Sequence, residues 1–234
     1  MVLRCIDVES TGLDPKLDRV IEIASIDLTR DGITNPMQTF CSLPSGMPIP
    51  PEASSVHHIL LRDLVGAPTY EQARERFLGA DYYIAHNAQF DQSFLNLPAP
   101  LICTHKCAWR IWTGLNGNRP PSYSNQVLRY WLGEEEPFGV AREQIAPHRA
   151  ASDVLVTAAI FHRMLKVEGV AFSDLVRWST EPYKYTWFTF GKHKGESIRN
   201  VPVDYLQWLA GGKHEMGSDW IAVAYEELTR RKGR

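Results

Sequence analysis

No apolar run in the 234-residue sequence approaches the roughly 18 consecutive residues a membrane-spanning helix needs, so insertion into a bilayer by a helix is not expected. The N-terminus has no basic head, apolar stretch and small-residue cleavage site of the secretory type. Val2 to Asp7 reads instead as a strand that ends in charge. Cysteine is scarce: Cys5, Cys41, Cys103 and Cys107 lie in apolar segments of a chain too long to need covalent stapling. They are expected to be reduced thiols, and the protein cytoplasmic. An excess of positive charge is missing too, since 25 Lys and Arg face 27 Asp and Glu for a net charge of −2. No overall basic field therefore marks a polyanionic partner, and any contact with nucleic acid must be local. What is present is 44% hydrophobic and 22% charged, the composition of a globular protein. The length suits one large domain, or one ordinary domain with a small appendix.

Leu3 to Asp7 and Val20 to Leu28, separated by Thr11-Gly12 and Asp14-Pro15, read as strand, turn and strand. A third strand is expected over Thr39 to Leu43, followed by a Pro-rich loop to Pro51 and short helical turns to Val65. Thr69 caps a helix expected to run through Leu78. Tyr82 to His86 reads as a buried strand, Phe90 to Leu95 as helix, Leu101 to Thr104 as strand and His105 to Trp112 as helix, with a loop over residues 116–122. This alternation is that of a layered α/β domain. Val154, Ala158, Phe161 and Leu165 recur at helical spacing, which predicts a long helix from near Ala150 to near Gly169. The composition then changes, through Thr180-Glu-Pro182 as a linker, to a tail dense in aromatics and lysines. A boundary is expected around residues 172–185.

Four acids stand out. Asp7 and Glu9 lie at the end of the first strand, where side chains at i and i+2 project to one face. Asp91 follows the strand Tyr82 to His86 and emerges at a strand-to-helix junction, the place where open α/β sheets bind ligands. Asp153 lies five residues after His148. On a single helix those two would point about 140° apart, so they face one cleft only if His148 sits on the loop before the helix. Singly, each acid has an ordinary reading as a solvated turn, a cap or helix-dipole compensation.

In this order, Asp7-Val-Glu9-Ser-Thr-Gly12, His86-Asn-Ala-Gln-Phe-Asp91 and His148-Arg-Ala-Ala-Ser-Asp153 resemble the motifs of the DEDDh 3′-to-5′ exonucleases. That family has an RNase H-like fold and includes ribonuclease T, proofreading subunits and the bacterial exonuclease X proteins, to which the likeness is greatest. Val56-His57-His58-Ile59 resembles the family's intermediate His-Gly-Ile segment, with His58 in place of Gly. The resemblance implies an α/β fold with a mixed sheet flanked by helices, an exonuclease domain over residues 1–171, and a small α+β module over 186–234. It implies two Mg²⁺ or Mn²⁺ ions held by Asp7, Glu9, Asp91 and Asp153, with Asp7 bridging, and His148 as general base. Four acids converging without cations would repel and raise one another's pKa values, which supports cations independently. Near the substrate the resemblance places Thr11, through its amide, together with Asn87 and His57. Leu13 reads as a wedge on the terminal base or as packing, and Phe90 as core with base stacking the alternative.

Cys103-Thr-His105-Lys-Cys107 offers three zinc-type ligands with no second half, short of the four a structural site needs. Buried thiols are the expectation. In the tail, Phe188-Thr-Phe-Gly-Lys-His-Lys-Gly195 and Val203-Asp-Tyr-Leu-Gln-Trp208 resemble the C-terminal extension of exonuclease X proteins. Aromatics interleaved with Lys192 and Lys194 suit stacking on bases and contact with phosphates, although a small module also needs its aromatics for a core. The expected substrate is DNA, single-stranded or with frayed 3′ ends. RNA trimming, or service as a proofreading subunit beside a polymerase or repair partner, are the alternatives.

Overall fold

The computed structural model describes residues 1–113, 118–212 and 218–233. Residues 116 and 117 of the expected loop, and residues 213–217 and 234 of the expected tail module, lie outside them. β1 (Leu3–Ser10) pairs antiparallel with β2 (Val20–Leu28) along its length, and β3 (Ile33–Phe40) pairs antiparallel with β2. After α1 (Pro51–His57) and α2 (Tyr70–Glu75), β4 (Tyr82–Ala85) returns parallel to β1. α3 (Gln89–Leu95) then leads to β5 (Leu101–Cys103), parallel to β4. The sheet order is β3-β2-β1-β4-β5, a mixed sheet of the expected α/β class.

Both faces of this sheet are covered, and the alternation of side chains along each strand divides the core in two. Cys5, Ala24, Ile26 and Ile84 face one cluster, shared with α4 (Thr104–Ile111), α5 (Asn125–Trp131) and the long α6 (Ala150–Met164). Ile6, Val8, Ile23 and Tyr83 face the other, with Phe77 and Leu95 from the α2 and α3 side. Within α6, Val154, Ala158 and Phe161 are buried as the spacing predicts. Fully burying a side chain such as Phe161 stabilises by about 1.5–3 kcal/mol, so α6 is anchored across β1 and β2.

The structure corrects several expectations. The first strand runs on to Ser10, so Glu9 lies within it. The third strand is Ile33–Phe40 rather than 39–43. It escapes a propensity reading because Asn35 (φ 51) and Pro36 interrupt it, and the ladder shifts register opposite, between Ser25 and Asp27. Thr69 does cap α2, its hydroxyl accepting from the Gln72 amide, but the regular helix stops at Glu75. α6 stops at Met164; Leu165, expected on its apolar stripe, is exposed, and single turns lead on to Gly169 at φ +77. α5 had no counterpart in the sequence reading.

The segment expected as a boundary is also built into the domain. α7 (Phe172–Thr180) packs on α4 and β5, and the Ser179 hydroxyl accepts from the Cys103 amide at 2.8 Å. The Glu181 and Pro182 carbonyls accept from Lys106 and Arg110, each at 2.9 Å. Beyond it, α8 (Val203–Ala210) and α9 (Ser218–Lys232) close on Phe188, Ile198 and Val201 as a separate small cluster. Trp187, one residue before Phe188, belongs to the main core. Among the described residues no helix is long and apolar enough to cross a membrane.

Candidate active site

The C-terminal half of β1 carries Asp7 and Glu9 to one face, and α6 brings Asp153 up to them in its first turn. Among the described residues these three offer carboxylate oxygens that all lie within 4.8 Å of one another. Asp91 enters from the β4–α3 junction. Asn87, at φ 59, makes the sharp turn there, a left-handed conformation that Asn tolerates better than most residues. Asp91 is 1% exposed, and its buried Oδ1 has no hydrogen-bond partner.

The electrostatics follow from that crowding. Loss of solvent, and then the neighbouring Asp91, Asp153 and Glu9 charges, hold the Asp7 carboxyl well above the ordinary carboxylate range. Loss of solvent, followed by Asp153 and Glu22, pushes Glu9 up to about 8, against a smaller opposing pull from Arg149. Asp91 is pushed up to about 8, mainly by burial. Asp153 is raised by burial too, although Gln126 Nε2 donates to its Oδ1 at 2.9 Å and lowers it in part. Neutral acids could share protons here, but cations fit better. Three convergent carboxylates and the unpartnered Oδ1 of a fourth are the hard-oxygen donor set of a divalent ion.

His148 lies on the turn before α6, as the spacing required, with φ 58 and an exposed side chain. Its amide donates to Asp153 Oδ2 at 2.9 Å, so the two motif residues are tied together through the main chain.

Beside Glu9 opens a pocket of about 320 Å³ whose walls include Thr11, Leu13, Val56, His57 and Phe90. Leu13 is 84% exposed and is therefore not a packing residue. Phe90 is half-buried, edge-on to Phe94. His57 is buried, its Nδ1 accepts from the Ile59 amide at 2.9 Å, and its Nε2 has no hydrogen-bond partner. The Thr11 amide, expected to serve a substrate, donates instead to the Arg19 carbonyl at 2.9 Å. A Cβ at Gly12 would meet the Asp18 carboxylate at 2.5 Å, so a side chain there would push Asp18 from its bond to the Thr11 hydroxyl. Asn87 is exposed and lies outside this pocket. Lys192 and Lys194 are in the tail, Lys192 poised 5.2 Å above the Tyr205 ring. His58 caps α1 at φ 60, so the position calls for Gly because of its left-handed backbone.

Sequence reasoning missed a fifth carboxylate. Glu22 sits opposite Glu9 in the β1–β2 ladder and is fully buried. Arg149 grips it with two bonds, Nη2 to Oε1 at 2.8 Å and Nε to Oε2 at 3.1 Å. The Ala150 amide, first in α6, donates to Oε2 at 3.1 Å, and Gln38 also donates to Oε1. Its signal was a lone acid inside the buried run Val20-Ile-Glu-Ile-Ala, where a charge persists only if paired. The Cys103 to Cys107 cluster is spread apart: both thiols are buried, and His105 is hydrogen-bonded through Nδ1 to the Tyr183 hydroxyl at 2.6 Å. His86, named in the second motif without a role, braces the turn between β4 and α3 through Thr104 and the Tyr123 carbonyl, both at 2.9 Å.

This fold and acid constellation are those of a nuclease, and comparison with known proteins specifies which kind. A model of the exonuclease family matches residues 5–161. The chain is 32% identical to Exodeoxyribonuclease 10 of Escherichia coli (strain K12) over 224 residues, covering 93% of this chain and 94% of that protein. It is 30% identical to DNA polymerase III subunit epsilon of Treponema pallidum (strain Nichols) over 172 residues, covering 68% of this chain and 74% of that one. Among solved structures, Exonuclease X in complex with 5′ overhanging duplex DNA superposes with a TM-score of 0.63 at 31% identity, over 76% of this chain and 99% of that one. E. coli Exonuclease I in complex with a dA16 oligonucleotide shares the fold, with a TM-score of 0.56 at 14% identity over 71% of this chain and 41% of that one. The chain belongs to the DEDDh 3′-to-5′ exonuclease family. It is an enzyme, a nuclease of the hydrolase class. Exonucleases of this type use divalent metals, and the acidic cluster is in place for them.

Proposed function

We propose that the protein is an exodeoxyribonuclease that releases nucleoside 5′-monophosphates from single-stranded DNA or frayed duplex 3′ ends. The observation that carries this reading is the convergence of Asp7, Glu9 and Asp153 beside the unpartnered, buried oxygen of Asp91. Asp7, Glu9, Asp91 and Asp153 would hold two Mg²⁺ or Mn²⁺ ions. When bound, such a pair stabilises the charge on the attacking and leaving oxygens of a phosphodiester displacement.

The chain's own residues do the rest. His148 takes the proton of the attacking water, the general-base task that histidine performs most often. Its tie to Asp153 holds it at the mouth of the acidic cluster. The pocket beside Glu9 takes the terminal nucleoside, with Leu13 and Phe90 against the base and the free His57 Nε2 as a polar anchor. Asn87, on the rim turn, and Thr11, buried under the pocket wall, position that end. Lys192 and Lys194 contact phosphates further along the strand. DNA is favoured as substrate by the resemblance to Exodeoxyribonuclease 10 across nearly the whole chain. The four buried free thiols suit a reducing cytoplasm. The likeness to DNA polymerase III subunit epsilon favours a second reading, a subunit that proofreads beside a polymerase.

Digestion of matched DNA and RNA oligonucleotides, labelled at either end, tests polarity, sugar and strandedness together. Activity is expected on DNA from the 3′ end, dependent on Mg²⁺ or Mn²⁺, lost in EDTA and nearly abolished in Asp7→Ala, Asp91→Ala and Asp153→Ala. His148→Ala should lower turnover by about 10²–10⁴. An Asp7→Ala protein as active as wild type would overturn the two-ion assignment. Faster loss of RNA would move the substrate to ribonucleotides. Activity that appears only with an added polymerase would support the subunit reading.

A further inference from the structure

Where the tail meets the nuclease body lies a second groove, of about 440 Å³, whose lining includes none of the four acids. Its floor is aromatic. Trp109 and Tyr123 stack at 4.1 Å between centroids, and Trp187 leans on Trp109 at 4.4 Å. Its rim is polar and exposed, with Ser122 and Arg119 on the body side and Thr189 and Lys194 on the tail side. The Arg119 guanidinium lies 4.1 Å above the Trp187 ring. Among the described residues neither Arg119 nor Lys194 is in an ion pair, whereas Lys184 pairs with Glu226 and Arg110 with Glu181. Two unneutralised cations thus face each other across an aromatic slot that lies within the size range of small-molecule sites.

The groove is also linked by contacts to the turn between β4 and α3. His105 and Tyr123 line it, and both touch His86, His105 with its ring edge-on at 5.3 Å and Tyr123 through its carbonyl. His86 directly follows β4, and Asp91 lies in the first turn of α3 just beyond it. A nucleic-acid strand with its 3′ end at the acids therefore has this slot as a neighbour.

We infer that the groove is a single-stranded DNA subsite, gripping a phosphate between Arg119 and Lys194 and a base against the Arg119–Trp187 stack. Stacking surface combined with cations is the sequence-tolerant chemistry of single-strand binding. The inference rests on the proposed nuclease reading and adds to it a tail-built site upstream of the scissile end. It makes the tail part of the substrate path, joined to the body through Trp187.

The test is fluorescence anisotropy in EDTA, so that nothing is hydrolysed, with labelled oligothymidylates from a dinucleotide to about 16 residues, the span of a single-strand site. Wild-type affinity should rise with length. Arg119→Glu should weaken the longest oligonucleotide by roughly tenfold, leave the dinucleotide unchanged, and flatten the slope of log affinity against log salt by about 0.7 for each phosphate no longer held. Lys194→Glu should act in the same direction. Both side chains are exposed, so thermal melting should match wild type; if Arg119→Glu melts lower, Arg119→Gln carries the test. Unchanged affinity and slope for the long oligonucleotide overturn the inference, as does an equal loss for the dinucleotide. Competition by thymidine 5′-monophosphate that Arg119→Glu abolishes would make the groove a product site and also overturn it. Wild-type protein that hydrolyses no DNA with Mg²⁺ would sink the nuclease reading itself. Hydrolysis with an indifferent Arg119→Glu sinks only the groove.

Discussion

Arg149→Ala should be among the most damaging single changes outside the four acids, although Arg149 need never touch substrate. It would strand Glu22, which is fully buried and loses two of its four donors. Breaking a buried ion pair from one side costs about 3–5 kcal/mol. Gln38 and the Ala150 amide still serve the carboxylate, so the lower end, about 3 kcal/mol, is expected. Glu22→Gln should cost only about 1 kcal/mol, near the net worth of one hydrogen bond, because the freed Arg149, whose side chain is 31% exposed, can turn to solvent. Urea unfolding in EDTA measures both. Turnover should fall further than stability explains, since the clamp ties β2 to the first turn of α6, where Asp153 and His148 are placed. A Glu22→Leu, Arg149→Met pair, with a packed apolar contact in place of the charges, should recover most of the stability and little of the turnover. An Arg149→Ala protein that loses under about 1 kcal/mol, or a double variant with wild-type turnover, would refute the clamp.

Without metal, the raised Glu9 and Asp91 pKa values make protonation stabilising. That contribution is complete below the ordinary carboxylate pKa and is lost as pH climbs towards about 8. The EDTA-treated protein should thus melt progressively lower from about pH 4.5 to 8, and saturating Mg²⁺ should cancel the decline by binding the native state alone. A flat EDTA profile would mean that the acids are already compensated. His58→Gly should raise the urea midpoint by the equivalent of about 1 kcal/mol, because the left-handed backbone at that cap penalises any side chain. Trp187→Ala should cost about 3–5 kcal/mol, since the ring is 8% exposed in the main core. A chain ending at Glu181 should therefore melt well below wild type; equal melting would show that the tail is dispensable to the body.

The four acids were legible because motif spacing reports topology: a strand and two helix starts recur in order, and the fold brings them to one place. The helix spacing from Val154 to Phe161 was equally direct, since burial of one stripe has a period. Glu22 was invisible as a partner because its counterion lies 127 residues away, a separation that no local pattern encodes. The second strand ladder misled for a physical reason, its bulge at Asn35 and Pro36 breaking the alternation that marks a strand. Thr180-Glu-Pro182 looked like a linker because turn formers mark both linkers and packed loops. The Lys106 and Arg110 donors to its carbonyls, and the Arg110–Glu181 ion pair, distinguish the two. The aromatics of the tail split between two cores at adjacent residues, Trp187 and Phe188, a division that composition cannot reveal.

The irregularity in β3 bears on how the protein behaves when crowded. β3 is a sheet edge, and an unbroken edge offers its free amides and carbonyls as a template for another chain. Pro36 has no amide to offer, and Asn35 bends the strand out of the pleat at the same point. The outermost ladder is therefore interrupted midway, and a foreign strand could pair with only a few residues on either side. Replacing both residues with β-formers would straighten the edge, and self-association at high concentration is the penalty expected of that smoother strand.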